Sequence, residues 1–455
     1  MPDVSCPVCD ADAAFLRTVT RPDYETIAPC VRIVDLFAGG GGLSLGMAEA
    51  ARRVGHGTDV VLAVEKHRDA ARVFAQNFPK AGVLEADVAG LFDGVVDAAP
   101  TAAETRLREQ VGSVDVLLAG PPCQGHSDLN NHTRREDPRN DLYVRVARAA
   151  EVLQPTSVLV ENVATIEHDR GAAVPRATAV LERAGYRVAT SVLDLAELGV
   201  PQRRRRHILL ASRHADVDPA AILFLRAACE CAVPRTVRWA IGDLLDVGTG
   251  AGVDAASVPS PENLARMTWL IDHDEYDLPN VLRPKCHHAP HSYLSMYGRL
   301  RWDGPAQTIT TGYGSMGQGR YVHPARARTI TPHEAARLQT LPDFFDLLSS
   351  SVRSTWAHVI GNAVPPLLGV HLGVPLLRAM SANTTDAVLP SGGTDRGEAV
   401  PSDTVDGTRG ASSGSPPASN HYDSAAAADQ VRSTLEQVRA GGRGRRRTRR
   451  RSAVR

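Results

Sequence analysis

The chain lacks the marks by which a secreted or membrane protein is first known. Its seven cysteines form an odd, scattered set, and Asp3, Asp10, Asp12 and Arg17 interrupt the opening stretch where an apolar leader would lie. These absences point to reduced thiols and a cytoplasmic setting. No window reaches the ~18 unbroken apolar residues of a membrane span. Net charge is missing too: 51 basic side chains face 51 acidic ones, so the overall balance predicts no polyanionic partner. Its distribution says more. Arginine is concentrated in "QRRRRH" at 202–207 and in "GGRGRRRTRRRSAVR" at 441–455, which leaves the remainder mildly acidic.

What is present suits a large soluble protein, since 455 residues can bury a full core and hold more than one domain. Over residues 31–212 short β-branched runs alternate with amphipathic stretches. "VRIVDLF", "VVLAVE", "VDVLLAG", "SVLVENV" and "HILLAS" are nearly continuous in apolar residues, the pattern of strands buried on both faces. "LSLGMAEAARRV", "RDAARVFAQNF" and "NDLYVRVARAAEVL" have helical periodicity. The series predicts an α/β fold, a doubly wound, Rossmann-like parallel sheet with ligand sites at the carboxyl ends of its strands.

Residues 1–30 read as an N-terminal extension, and over residues 213–325 the rhythm fails, as in a second, smaller domain. Helical patterning returns over 326–380 in "TPHEAARLQTLPDFF" and "LLGVHLGVPLLRAM", completing the first domain. Residues 381–455 are predicted to be a disordered linker and basic tail, rich in Ser, Gly, Thr, Asp, Ala and Pro. "QVRSTLEQVRA" has the pattern of one short helix within it.

Four features fall on one edge of the predicted sheet. "DLFAGGGGLSLG" places a glycine-rich turn between strand and helix, where a ligand can approach backbone, although such turns are also ordinary structural devices. Ser44 stands where the dinucleotide fingerprint would need its third glycine, so a nucleotide-like ligand without a bound pyrophosphate fits better. Glu65, ending the second strand, is placed for ribose hydroxyls and Asp87 in "LEADV" for an adenine amino group. In "GPPCQGHS" two prolines fix the backbone and aim Cys123, which lifts it above the ordinary buried cysteine. "LVENV" brings Glu161 beside that thiol, and a carboxyl able to hold a proton is the partner a thiolate needs when it adds across a conjugated ring. The arginines of "GVPQRRRRHILL" supply guanidinium forks for a ring carbonyl or for phosphates.

With these residues assembled, the chain strongly resembles the DNA cytosine-5 methyltransferase family of bacterial restriction-modification type. The matching blocks occur in order: "DLFAGGGGLSLG", "AVEKHRDAARVFAQNFP", "EADV", "LLAGPPCQGHS", "LVENV", "GVPQRRRRHILLAS", "TITPHEAARLQTLPDFF" and "GNAVPP". The resemblance implies an S-adenosyl-L-methionine-binding domain at 31–212, completed by 326–380, facing a target-recognition domain at 213–325 across a DNA cleft. It implies Cys123 as nucleophile, Glu161 as the group that protonates N3, and Arg204 and Arg206 as the two arginines of the Q-x-R-x-R pattern. It assigns Phe37, Ala38, Gly39, Gly42, Glu65, Asp87, Val88, Pro122, Leu142, Asn362 and Ala363 to the cofactor. Ser127, Arg203 and Thr310 are assigned to DNA. The implied reaction transfers a methyl group to C5 of a flipped-out cytosine in a specific duplex sequence, through a covalent bond between Cys123 and C6.

The polar stretch "GHSDLNNHTRREDPRND" after the cysteine has the character of a closing lid. The implied partner is duplex DNA, the protein acting as a monomer in the bacterial cytoplasm; a cognate restriction endonuclease as partner, a solitary role and a phage-defence role all stay open. A transfer RNA methyltransferase with the same chemistry, and a catalytically silent DNA-binding protein of the same fold, are the alternatives. "CPVC" at 6–9 has zinc-like spacing, but a convincing second pair is wanting, so no metal is expected. The target sequence is not readable.

Overall fold

The computed structural model describes residues 6–122, 141–169, 171–214, 217–227, 234–245, 251–288, 295–347 and 352–386. Cys123, Ser127, the expected lid and the expected linker and tail beyond residue 386 lie outside the described residues, while 381–386, expected as the start of that disordered linker, instead continue the helix that begins at Pro366.

A helix, α1 (Pro7–Arg17), precedes the strand–helix series. That series runs β1 (Cys30–Leu36), α2 (Gly42–Arg53), β2 (Gly57–Glu65), α3 (Arg68–Asn77), β3 (Val83–Glu85), α4 (Val88–Leu91), α5 (Ala102–Val111) and β4 (Val116–Ala119). It continues through α6 (Asp141–Leu153), β5 (Ser157–Val163), α7 (Ala173–Arg183), β6 (Arg187–Asp194), β7 (Gln202–Arg203) and β8 (Arg205–Ser212). Then come α8 (Pro219–Ala227), α9 (Val237–Ile241), α10 (Pro261–Asp272), β9 (Ala306–Gln307), α11 (Pro332–Leu338), α12 (Arg353–Asn362) and α13 (Pro366–Asp386).

Seven strands form one sheet in the order β3-β2-β1-β4-β5-β8-β6. The expected parallel pairing holds from β3 to β5, while β8 runs antiparallel to both of its neighbours. The central strands are apolar because both faces are covered: every residue of β4 is buried. On one face α2, α3 and α13 enclose Met47, Phe74 and Leu368; on the other α4, α6 and α7 enclose Phe92, Tyr143 and Val180. Each such side chain, fully buried, contributes roughly 1.5–3 kcal/mol.

The sheet is completed from the far end of the sequence. Helix α13 packs on α2 so closely that glycines meet at the crossing. A Cβ added at Gly46 would stand 2.2 Å from the Pro366 carbonyl oxygen, and one at Gly369 would stand 3.0 Å from the Gly46 Cα. The stretch Arg353–Ser381 is apolar enough to cross a membrane by length and composition, yet 78% of its most apolar window is buried inside the protein.

The N-terminal segment is part of this packing. Asp12, fully buried, meets Arg53 of α2 at 2.6 Å, Arg235 at 2.7 Å and His371 of α13 at 2.8 Å. Burial alone would raise its pKa, but the hydrogen bond and charge of His371, then Arg235 and Arg53, hold the carboxyl well below its usual range. Residues 217–244 contribute Val217, Ile222, Val237 and Ile241 to the same core as α2 and α13. A separate small core gathers Met267, Trp269, Leu270, Leu282, Tyr297 and Val322 around α10.

The two regions are stitched at Gln202. Its buried amide donates to the Leu338 carbonyl at 2.8 Å and to Gln339 Oε1 at 2.7 Å, and its oxygen accepts from Ile309 N–H at 3.0 Å. The parallel bridge of β7 with β9 lies beside it.

Candidate functional site

At its carboxyl end β1 breaks sharply. Phe37 adopts φ 58°, a left-handed conformation that a non-glycine residue holds only at some cost, and Gly39 follows at φ 55°. Nothing lies within 4 Å of where a Gly39 Cβ would be, so a ligand can lie against the backbone there. The turn is pinned by Glu65 at the end of β2. One carboxylate oxygen accepts from Gly39 N–H at 2.8 Å and the other from His67 N–H at 2.6 Å. Gly42 opens α2 against the returning chain: a Cβ there would meet the Val364 carbonyl oxygen at 2.3 Å.

This turn, Gly120 at the end of β4, Glu161 of β5 and the segment His358–Val364 wall a recess of about 70 Å³. The recess is smaller than the ~300 Å³ or more that small-molecule sites commonly enclose. Glu65 bonds the glycine turn that walls it, and Asp87 follows β3, whose register sets Glu85 beside Glu65. Asp87 caps α4 through Ala89 N–H and pairs with exposed Lys66 at 2.8 Å, which lowers its pKa. Val88 is buried in the core beneath, on which Phe37 also packs. Leu142 is half-buried on α6, Pro122 is exposed, and Asn362 and Ala363 end α12 on the recess wall. A larger cavity, about 290 Å³, opens at the opposite ends of β1 and β2 beside Cys30, Arg32 and Lys80, away from these groups.

The register of β5 with β8 pairs Glu161 with Ile208 and Val163 with Arg206. Glu161 and Arg206 are therefore diagonal neighbours on one face, a separation that long side chains span. Arg206 Nε lies 2.7 Å from Glu161 Oε1, with the N–H turned aside, so this buried oxygen keeps no hydrogen bond. Arg204 is buried beside them, donates to the Ile309 carbonyl at 3.2 Å and has no partner for Nε. Burial, then the like charge of Arg206, pushes its guanidinium down to about 9, still charged at neutral pH. Arg203 is exposed, and its carbonyl accepts from Thr308 Oγ1. The Thr310 hydroxyl lies 2.9 Å from that of Tyr321.

Thus Glu161, Arg206, Phe37, Gly39, Gly42, Asn362 and Ala363 are brought together, with Glu65 and Asp87 on the adjoining edge. Sequence reasoning missed Asp35 and His358, which line the same recess. A carboxylate near the carboxyl end of "CVRIVDL", just before the glycine-rich turn, was the available signal for Asp35. The expectation of reduced thiols fails at Cys6, which is disulfide-bonded. The "CPVC" pair therefore does not offer two thiolates. Among the described residues no group of three or more His, Cys, Asp or Glu side chains could hold a metal ion.

The description "C-5 cytosine-specific DNA methylase" belongs to a family model that matches residues 31–377. The chain belongs to that family. It is 44% identical over 368 residues to the type II methyltransferase M1.BsuMI of Bacillus subtilis, covering 81% of this chain and 85% of that one. The type II methyltransferase M1.HphI of Haemophilus parahaemolyticus is 31% identical over 354 residues, 76% and 86% of the two chains. In fold the methylase is similar to a putative DNA modification methyltransferase encoded within an E. coli prophage. The TM-score is 0.53 at 24% identity, over 77% of this chain and 99% of the other. The methylase is thus a DNA (cytosine-5)-methyltransferase. Its recess fits S-adenosyl-L-methionine in donor set, with an aromatic face at Phe37, open backbone at Gly39, a hydroxyl acceptor at Glu65 and a buried carboxyl at Asp35.

Proposed function

We propose that the methylase acts on cytosine C5 within a specific duplex DNA sequence, taking the methyl group from S-adenosyl-L-methionine by covalent catalysis. The observation that carries this reading is the ion pair of Glu161 with Arg206 on the wall of the recess, beside the strand that leads into Cys123. Bound there, S-adenosyl-L-methionine supplies an electrophilic methyl group. Phe37 would pack on its adenine, Glu65 would accept from its ribose hydroxyls, Asp87 would accept from its adenine amino group, Gly39 and Gly42 would line its methionine end, and Asn362 and Ala363 would complete the pocket. Ala38, Val88, Pro122 and Leu142 line the rest.

Cys123 adds as thiolate to C6 of the cytosine while Glu161 delivers a proton to N3. The ring electrons then move to C5, which becomes nucleophilic. Arg206 holds the Glu161 carboxyl in place and offers its remaining donors to the cytosine carbonyl, while Arg204, anchored on Ile309, fixes the strand. After methyl transfer, loss of the C5 proton to solvent expels the Cys123 thiolate, and N3 returns its proton to Glu161, which restores the ring. The base leaves the duplex to reach these groups, at a cost of roughly a few kcal/mol. Ser127, Arg203 and Thr310 hold the DNA backbone, and the region 213–325 reads the sequence. The relatives named as type II methyltransferases support a restriction-modification role in the bacterial cytoplasm, with a cognate endonuclease as partner.

The test is transfer of tritium from labelled S-adenosyl-L-methionine to duplex DNA or to transfer RNA, in wild type and Cys123→Ser. Label in DNA as 5-methylcytosine, lost in the variant, is expected. Label in RNA alone overturns the substrate, and bound cofactor with no label in any nucleic acid overturns catalysis.

A further inference from the structure

Helix α12 sets Thr355, His358 and Asn362 at spacings of three and four, along one face that meets α3 and the recess. Thr355 Oγ1 donates to Asp69 of α3 at 3.2 Å. The half-buried His358 ring lies flat on that of His67, the residue that caps α3, with centroids 4.0 Å apart and planes 19° apart. His67 is itself fixed, because its Nδ1 accepts from Ala70 N–H at 3.4 Å and its own N–H donates to Glu65. One helical turn on, Asn362 Nδ2 stands 3.3 Å from His358 Nδ1. An amide nitrogen only donates, so the imidazole nitrogen accepts. Asn362 Oδ1 is then the end left for a ligand, and both residues line the recess. Nothing in the reaction above uses either histidine.

Resting on the cofactor reading above, we propose that His358, held flat against His67, is a positioning residue that fixes the Asn362 amide with its carbonyl end toward the cofactor. A free amide can turn either end to the ligand, and the two ends have opposite hydrogen-bonding character. The ammonium, amino and hydroxyl groups of S-adenosyl-L-methionine are donors, which a carbonyl oxygen meets and an amide NH2 does not. The same donors belong to S-adenosyl-L-homocysteine, so the device serves both ligands alike. The stack keeps the His358 ring from turning, and it ties the α12 wall to the β2–α3 side of the recess.

The arrangement works only with His358 uncharged. Protonated at Nδ1, the ring becomes a donor, and Asn362 has to turn its carbonyl inward to accept, which leaves NH2 facing the ligand. Burial, then the neighbouring charge of His67, holds the His358 ring below the usual imidazole range, against Glu65 and Asp69, which favour the charged form. The other titratable groups beside it are Asp35 of β1 and Glu161 of β5, on the recess. Because the folded value is lowered, His358 is neutral at physiological pH, and cofactor affinity fades only as pH falls below about 6.5.

Titration calorimetry of the full chain with S-adenosyl-L-homocysteine between pH 5 and pH 8 tests this, in wild type, His358→Asn, His358→Gln and His67→Asn. Asparagine places an oxygen where His358 has Nδ1 and does not titrate, whereas glutamine places its amide at the position of Nε2. At pH 7.5 His358→Gln should bind about three- to tenfold more weakly than wild type, the worth of one hydrogen bond, and His358→Asn should recover most of that. Between pH 7.5 and pH 5 wild type should lose about fivefold more affinity than His358→Asn, in which Asp35, Glu65, Asp69 and Glu161 all remain to titrate. His67→Asn can still cap Ala70 N–H but uncovers His358, so the acid loss moves to higher pH, a change that a merely structural contact would not produce. If His358→Asn and His358→Gln bind equally at pH 7.5, or if wild type and His358→Asn follow one pH curve, the proposal fails while the cofactor reading stands. If wild type binds neither this ligand nor S-adenosyl-L-methionine at any pH, the cofactor reading itself fails.

Discussion

Replacing Gly46 by alanine tests whether the crossing of α2 and α13 is as close as described. Two effects compete. In a helix interior, alanine is favoured over glycine by about 0.8–1 kcal/mol, which alone would stabilise the protein. Against this, the new methyl would sit 2.2 Å from the Pro366 carbonyl oxygen and 2.8 Å from the Gly369 Cα. Both obstacles are backbone, so no side chain can turn away, and α13 must move. Overpacking of this kind costs about 1–3 kcal/mol, more when backbone is displaced. The steric effect therefore wins, with a net loss of about 2 kcal/mol. Because α13 follows directly on the Asn362–Val364 wall, cofactor binding should weaken with it. Gly90 in α4 is the control: nothing lies within 4 Å of its added Cβ, so Gly90→Ala should leave stability unchanged or raise it by up to about 1 kcal/mol. Urea unfolding of the two variants beside wild type measures both. A Gly46→Ala protein as stable as wild type would refute the described crossing.

Three further outcomes are expected. Glu161→Gln should lower single-turnover methyl transfer by about 10²–10⁴-fold while leaving cofactor affinity close to wild type, the size of an acid–base contribution; unchanged turnover would remove Glu161 from the chemistry. Asp12→Ala leaves Arg53, Arg235 and His371 around an empty centre and should cost about 3–5 kcal/mol in thermal unfolding. Since the folded pKa of Asp12 is depressed, the stability it supplies is present above about pH 4 and fades as pH falls, so wild type and variant should converge in acid. His333 behaves oppositely. Burial opposes its charge, but Asp343 at 3.0 Å and Asp254 at 2.8 Å outweigh that and raise its pKa. Its stabilisation is full below about pH 6.5 and is lost as pH rises through the folded value, so His333→Gln should be most damaging near pH 6 and least above pH 8.

The central strands were legible because burial on both faces leaves continuous β-branched runs, as in "SVLVENV", and the recess because its glycines and carboxylates cluster at strand ends. Strand β6 was not. "RVATSVLD" lies on the sheet edge, half-buried along most of its length, and mixes Thr and Ser with apolar residues. Gln202 was visible only as part of an arginine motif, since its partners Ile309, Leu338 and Gln339 lie more than a hundred residues away in the chain. For the same reason Asp12 looked like ordinary N-terminal polarity, although two arginines and a histidine from three segments converge on it. Local patterns report burial, whereas polar junctions depend on what the fold brings alongside.

The recess draws one wall from the glycine turn after β1 and another from residues 358–364, roughly 300 positions later. At about 5–20 residues per second of synthesis, the second wall emerges ~15–60 s after the first. During that interval the α2 surface around Gly46 has nothing on it, and the turn at Phe37 lacks its facing side. A chain halted anywhere between these two segments therefore carries the glycine turn without the wall that faces it. Closure of the recess waits for residues 358–364, so the later of its two walls decides when the pocket is complete.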